Sequence, residues 1–243
     1  MAYKAMIFDL DGTLLPMDHM RFGTMYFESV RALFDGDPRV DGGRLFMDGL
    51  KAGIIAMKKN DGSQTNRAAY HRAFVEKTGY DGAYVEDKME RYYLSAFKAL
   101  KISTHPDPNI AAAVRLLKEA GIKLALATDP LFPLSAVVER IGWADLKPSD
   151  FLHIPTYDKH RFSKPAPGFF GEVLSYIDAA PADTLMVGNS VYNDMPSARA
   201  GIDCYMLDDC LLNEKNEDIV CKYRSDIQGF YRFVEELTEG RRK

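Results

Sequence analysis

The 243-residue chain predicts an α/β fold, a parallel-sheet core interrupted by an all-helical block. Three observations carry that prediction. Short apolar runs of strand length alternate with helix-period segments at both ends of the chain. Residues 17–103 hold no strand-like run at all. Carboxylate, hydroxyl, amide and ammonium side chains follow the strand-like runs or open the next helix, where an open α/β sheet binds its ligands.

The first run, Ala5 to Phe8, reads as a buried parallel strand. It ends in Asp9-Leu10-Asp11-Gly12-Thr13, so Asp9 and Asp11 stand at the mouth of a site. Two carboxylates ~4 Å apart repel by about 4 kcal/mol at an effective dielectric of ~20. Such a pair persists where a cation neutralises it or one carboxyl stays protonated. Gly12 lets the backbone turn where a side chain would obstruct it. Taken alone, the stretch also reads as a plain Asp-Gly turn.

Helical periodicity then takes over. Met20 to Phe34 is the first helix, broken by Asp35-Gly36-Asp37-Pro38, and Gly43 to Lys58 is the second. Ser63 or Thr65 caps a third through Phe74 and Val75, ended by Thr78-Gly79, and Val85 to Leu100 is the fourth. Four helices without a strand form a small bundle inserted into the α/β alternation. Alternation resumes with a helix over Asn109 to Ala120 and a strand over Ile122 to Ala127, closing in Thr128-Asp129. Leu134 to Ile141 is helical, and Phe151 to Ile154 reads as a short third strand. Lys164-Pro165-Ala166-Pro167-Gly168 opens a helix over Phe169 to Ile177. A fourth strand, Thr184 to Val187, ends in Gly188-Asn189-Ser190 with Asp194 close behind. A helix through Ala198, a fifth strand over Cys204 to Leu207, and a closing helix over Ile227 to Leu237 complete the chain. The domains are therefore expected as 1–16 plus 104–243 for the core and 17–103 for the insertion.

A net charge of −4 provides no global field for nucleic acid or anionic lipid. No apolar run is long enough to span a membrane. Cys204, Cys210 and Cys221 lack metal-site spacing and read as free thiols of a reducing compartment. Strand-like sequence within a few residues of Met1 leaves no room for a signal peptide. These features give the expectation of a cytoplasmic protein, monomeric or homodimeric, without nucleic-acid or membrane partners.

In a parallel sheet all these strand ends share one edge. Their inventory suits a phosphate and a divalent cation. Phe8 to Leu14, Ala127-Thr128-Asp129, Lys164 to Gly168, and Val187-Gly188-Asn189-Ser190 through Asp194 resemble, in order, the four motifs of the haloacid dehalogenase-like hydrolase superfamily. The helical block resembles that family's C1-type cap. The resemblance implies a doubly wound, Rossmann-like sheet beneath a mobile helical lid. It implies a Mg²⁺-dependent phosphatase acting on a small-molecule phosphate monoester, with Asp9 as nucleophile and Asp11 as general acid and base. Gly12, Thr128, Asp129 and Lys164 would surround the phosphate. Asp9, the Asp11 backbone carbonyl, Asn189 and Asp194 would hold the metal.

Two departures stand out. Asn189 replaces the usual aspartate of the fourth motif and brings no charge, so Asp194 is expected to matter more to the metal. Asp129 replaces the usual asparagine of the second, and is expected to offer only its backbone N–H to the phosphate. Asp11 favours phosphoryl transfer over dehalogenation, because a halide leaving group needs no proton. A phosphomutase using the same machinery, and a catalytically weak binding or regulatory protein, are the alternatives. Specificity is expected from the cap, with Met17, Asp18 and His19 at the hinge and the Asn60–His71 region as candidates. Arg67, Tyr70 and His71 themselves read as a solvated helix face.

Overall fold

The computed structural model describes residues 3–239. Five strands, β1 (Ala5–Phe8), β2 (Lys123–Leu126), β3 (Thr184–Gly188), β4 (Asp203–Leu207) and β5 (Tyr223–Ser225), form one parallel sheet in the order β2-β1-β3-β4-β5. This is the flavodoxin-like doubly wound order, whose ligand crevice lies where β1 and β3 diverge. Ala5, Met6, Ile7 and Phe8 are all fully buried, as a central strand covered on both faces must be. Its alternating side chains divide between two layers. Met6 and Phe8 pack in the cluster that holds Ile110, Val114 and Leu117 of α5 (Pro108–Glu119), Val137 and Ile141 of α6 (Leu134–Trp143) and Phe230 and Val234 of α8 (Ile227–Glu239). Ala5 and Ile7 pack against Phe169, Phe170 and Val173 of α7 (Pro167–Ile177) on the other side.

Two strand expectations change. Phe151–Ile154 does not form a strand: it makes one isolated bridge, His153 to Ala125, beyond the β2 edge. Only Leu152 N–H to Leu124 O (2.7 Å) and Leu126 N–H to His153 O (3.0 Å) join it, and Leu152 is exposed. The fifth strand of the sheet is instead Tyr223–Ser225, which needs no apolar run because it is an edge strand.

Helices α1 (His19–Leu33), α2 (Arg44–Lys58), α3 (Asn66–Thr78) and α4 (Gly82–Leu94) lie between β1 and α5. The helix expected to reach Leu100 ends at Leu94, and a 3₁₀ segment covers Ala96–Ser103. The helix expected through Ala198 is likewise a 3₁₀ segment, Met195–Ala200. Thr65 caps α3, accepting the N–H of Ala68 at 3.2 Å, and Gly79 ends it in the left-handed region at φ +70°. The two chain crossings pair side by side: Asp18 N–H donates to Ser103 O (2.9 Å) and His105 N–H to Pro16 O (2.7 Å).

The inserted helices do not keep a separate core. Phe22, Tyr26, Tyr92 and Phe97 join the sheet's cluster, and Phe97 stacks on Trp143 of α6 with centroids 5.2 Å apart. A polar anchor sits at the start of α3. Asn66 is fully buried and its amide donates to Pro130 O (3.3 Å), Phe162 O (3.3 Å) and Ser163 Oγ (3.2 Å). Replacing Asn66 with alanine removes these contacts, leaves the buried Pro130 carbonyl unpaired and should cost about 2 kcal/mol. For a chain of this size the melting temperature should fall by about 4–8 °C in a thermal-unfolding comparison; an unchanged value would contradict the anchoring role.

Candidate active site

Asp9 follows β1 directly, and its N–H donates to Val187 O at 2.9 Å, fixing it against the end of β3. The chain then doubles back: Leu15 N–H donates to Leu10 O at 2.8 Å, and Gly12 takes φ +86°. A Cβ on Gly12 would lie 2.3 Å from Asn189 Nδ2 and 2.4 Å from His19 Nε2, so only glycine fits this turn. On the other flank, Ala127 N–H donates to Phe8 O, which carries the buried Thr128 up beside the Asp9 loop.

Lys164 reaches this edge from the loop before α7. It is 2% exposed, and its Nζ lies 2.9 Å from Asp9 Oδ1 and 2.7 Å from Asp194 Oδ1. Asp194 is fully buried, and its Oδ2 accepts the N–H groups of Asn189 (3.1 Å) and Ser190 (2.9 Å). A Cβ on Gly188 would meet Asp194 Oδ2 at 2.4 Å, so the glycine ending β3 is what lets that carboxylate fold over the strand. Burial pushes the Asp9 carboxyl up to about 7 against the pull of Lys164, and Asp194 and Asp11 add to the rise. Burial also opposes the Lys164 charge, but Asp194 and Asp9 outweigh it and hold the ammonium well above the ordinary lysine value.

Asp11 is turned elsewhere. Its Oδ2 pairs with Nη1 of Arg140, a fully buried arginine on α6. Arg140 Nε donates to Ala136 O (3.2 Å) and the guanidinium lies 4.5 Å from the Phe132 ring centroid. Asp11 thus has a cation of its own, whereas Asp9 shares Lys164 with Asp194. Asp11 Oδ1 and Arg140 Nη2 are buried without a hydrogen-bond partner among the described residues.

Asp129 offers more than its backbone. Its Oδ1 accepts the N–H of Lys164 (3.1 Å), and its Oδ2 accepts from Nζ of Lys58, at the end of α2, at 2.6 Å. Lys58 Nζ also donates to Lys164 O at 2.6 Å. The inward carboxylate that would oppose an anion is therefore neutralised from the inserted helices. Asn189 is fully buried, with Oδ1 accepting from Thr13 Oγ1 (3.0 Å) and Nδ2 donating to Cys210 O (2.6 Å). Its amide is committed to holding loops together, so the side-chain oxygen of Asn189 is already engaged. The solvated-face reading of α3 also needs correction. Arg67 is exposed but forks onto Glu86 through two 2.6 Å contacts, while Tyr70 and His71 are half-buried against a cavity.

The structure brings Asp9, Gly12, Thr128, Asp129, Lys164, Asn189 and Asp194 to one sheet edge. Arg140 and Lys58 join them without having been read from the sequence. Arg140 did leave a signal: it shares the buried stripe of α6 with Ala136, Val137 and Ile141, where a charge needs a partner. Lys58 left none. Among Asp9, Asp11, Asp129 and Asp194 against Lys58, Lys164 and Arg140, the site is one positive charge short. Its donors are oxygens, the kind a hard divalent cation prefers, although among the described residues no three His, Cys, Asp or Glu side chains gather as a ready metal cluster.

The model of the haloacid dehalogenase-like hydrolase family matches residues 3–201, and the chain belongs to that family. It is 28% identical over 119 residues to a phosphoglycolate phosphatase of Psychrobacter arcticus, a match covering 48% of this chain and 50% of that one. The chain thus spans about half the length of that curated relative. Its fold is similar to that of a HAD phosphatase from Thermococcus onnurineus, with TM-score 0.59 and 18% identity over 99% of this chain and 100% of that one. The HAD-hydrolase YfnB of Bacillus subtilis, solved bound to magnesium, aligns at TM-score 0.57 and 19% identity over 97% and 100%. Among the described residues no helix is long and apolar enough to cross a membrane.

The raised Asp9 carboxyl has a thermodynamic signature. The folded protein holds the proton that the unfolded chain releases near pH 4, so stability falls as pH rises from about 4 to about 7. In metal-free buffer, Asp9→Asn should melt with the wild type at pH 4 and above it at pH 8. A difference that stays constant across that window would contradict the burial of a lone extra charge at Asp9.

Proposed function

We propose that the chain is a Mg²⁺-dependent phosphatase that hydrolyses a small-molecule phosphate monoester through an aspartyl-phosphate on Asp9. The observation that supports this most is the Lys164 ammonium held between Asp9 and Asp194 at the β1/β3 crevice, with a second aspartate two residues beyond. That arrangement presents one buried carboxylate next to a fixed positive charge, which suits attack on a dianion that would otherwise be repelled.

Asp9 attacks phosphorus, forming a carboxylate–phosphorus bond as the bond to the ester oxygen breaks. Asp11, protonated and released from Arg140, gives its proton to the leaving oxygen. Asp11 then removes a proton from water, the water oxygen attacks phosphorus, and the Asp9 carboxylate is regenerated as inorganic phosphate leaves. Lys164, the Thr128 hydroxyl and the backbone N–H groups of the Gly12 and Asp129 turns hold the phosphoryl oxygens. Mg²⁺ would be held by Asp9, the Asp11 backbone carbonyl and Asp194, and would supply positive charge to the phosphoryl oxygens. Asn189, usually aspartate at this place, serves to position Thr13 and the 210 loop.

Residues 17–103 act in this reading as a cap that closes over the crevice and keeps bulk water out. Lys58 is its contact to both Asp129 and Lys164.

Phosphate release from an aryl phosphate with and without Mg²⁺ tests the proposal. Asp9→Asn should abolish turnover, and Asp11→Asn should lower kcat by about 10²–10⁴-fold, the usual share of a general acid. Wild-type rates from the Asp9 variant would overturn it.

A further inference from the structure

Between the inserted helices and the core lies a cavity of about 190 Å³. Phe22 and Tyr26 of α1, Leu50 and Ile54 of α2 and Met89 of α4 wall it on one side. Phe132, Pro133 and Tyr157 close the core side. Two of its walls are each one step from the catalytic groups. The Phe132 ring carries the guanidinium that binds Asp11. Met57 also lines the cavity, and its neighbour Lys58 bonds Asp129 and the Lys164 carbonyl. The cavity thus adjoins the supports of Asp11 and Asp129.

Given the phosphatase reading, on which this rests, we infer that the cavity takes the group attached to the leaving oxygen, and that this group is compact, uncharged and apolar: a single aromatic ring or a short branched alkyl group. Size supports it, since an apolar cavity of about 150 Å³ is enough to take up benzene. Charge supports it more. Among the described residues no lysine or arginine lines the cavity; besides tyrosines, its ionisable lining groups are Glu86, Glu90 and His71. Arg67 beside Glu86 holds that carboxyl down at about 2, so it stays ionised, and the fork uses up the nearby arginine. A carboxylate or a second phosphate on the leaving group would meet acidic walls, and the neighbouring cation, Arg140, lies against the Phe132 ring rather than in the lining.

Hydroxyl-rich leaving groups fare little better, because apart from Tyr70 and His71 the hydroxyls facing the cavity already bond one another or Glu86. Tyr26 and Tyr93 hydroxyls bond each other at 2.8 Å, and the Tyr157 hydroxyl donates to Glu86 at 2.7 Å. A sugar, with several hydroxyls, would have to break these bonds or bury most of its own hydroxyls unpaired. The fit thus points away from the anionic glycolate named in the activity of the Psychrobacter relative.

Alkyl phosphates with similar leaving alcohols test this directly: benzyl, ethyl, 2-phosphoglycolate, glycerol 1-phosphate and phosphocholine, all with Mg²⁺. Burying one ring should raise kcat/KM for benzyl phosphate about 10–100-fold over ethyl phosphate, with 2-phosphoglycolate below both. Ile54→Trp, which fills the cavity, should collapse the benzyl-to-ethyl ratio towards one. Preference for 2-phosphoglycolate, glycerol 1-phosphate or phosphocholine would overturn the inference while leaving the phosphatase reading intact. Hydrolysis of none of them would sink that reading instead. Binding of 4-fluorobenzyl alcohol, followed by ¹⁹F NMR without metal or phosphate, then decides the cavity alone. Binding that Ile54→Trp weakens supports an apolar ligand there, and no binding to wild type rejects it.

Discussion

The ammonium of Lys164 sits in a place that is 2% exposed, between two carboxylates that are themselves buried. Charges taken that far from water survive only when paired and hydrogen-bonded. Asp194 meets that condition fully, with Lys164 on one oxygen and two backbone N–H groups on the other. Asp9 does not, and its raised carboxyl reflects the shortfall. The sheet order exists, in effect, to bring these three residues together: β1 delivers Asp9, β3 delivers Asp194, and the loop before α7 delivers the lysine. A one-residue slip of β1 against β3 would turn the buried alternation of Ala5–Phe8 inside out and carry Asp9 away with it.

Around that pair, two further ion pairs tie the crevice to its surroundings. Arg140 holds Asp11 from beneath, on the α6 side, and Lys58 holds Asp129 from the inserted helices. The departure of the second motif from its family pattern has a physical account in the second contact: an aspartate at 129 gives the α2 lysine a partner and takes the Lys164 N–H as well. In the proposed phosphatase mechanism, the Asp11–Arg140 contact means that the proton-transfer residue is parked on a cation and must turn to act. Arg140 in turn rests on Phe132, a wall of the cavity, so the group filling the cavity and the orientation of Asp11 share one neighbour.

How much of this could be read in the chain varies with burial. Four of the strands were legible because each carries a buried apolar run, Ala5–Phe8, Leu124–Leu126, Leu185–Val187 and Cys204–Leu207. Tyr223–Ser225 was not, because an edge strand of three residues carries no such run, and Phe151–Ile154 misled because apolar residues there cover a bridge rather than a ladder. Asp9 and Asp194 were legible because strand ends concentrate chemistry on one edge, and Lys164 because it stands in the loop that opens into α7 there. The Arg140 pairing required knowing that α6 packs beneath the first loop, and Lys58 required the closure of α2 onto the core; neither long-range contact is encoded in local spacing. Tyr70 and His71 looked solvated because α3 has little amphipathic pattern of its own, and only the packing of four helices against Phe132 and Tyr157 encloses them.

The central claim is that Asp9 carries the phosphoryl group during turnover. Acid-quenched enzyme from a steady-state reaction, reduced with borohydride, would convert an aspartyl-phosphate to homoserine. Mass spectrometry of the peptide holding Asp9 and Asp11 should then find homoserine at position 9 alone. Homoserine at position 11, or an unmodified peptide under conditions of rapid phosphate release, would contradict the account.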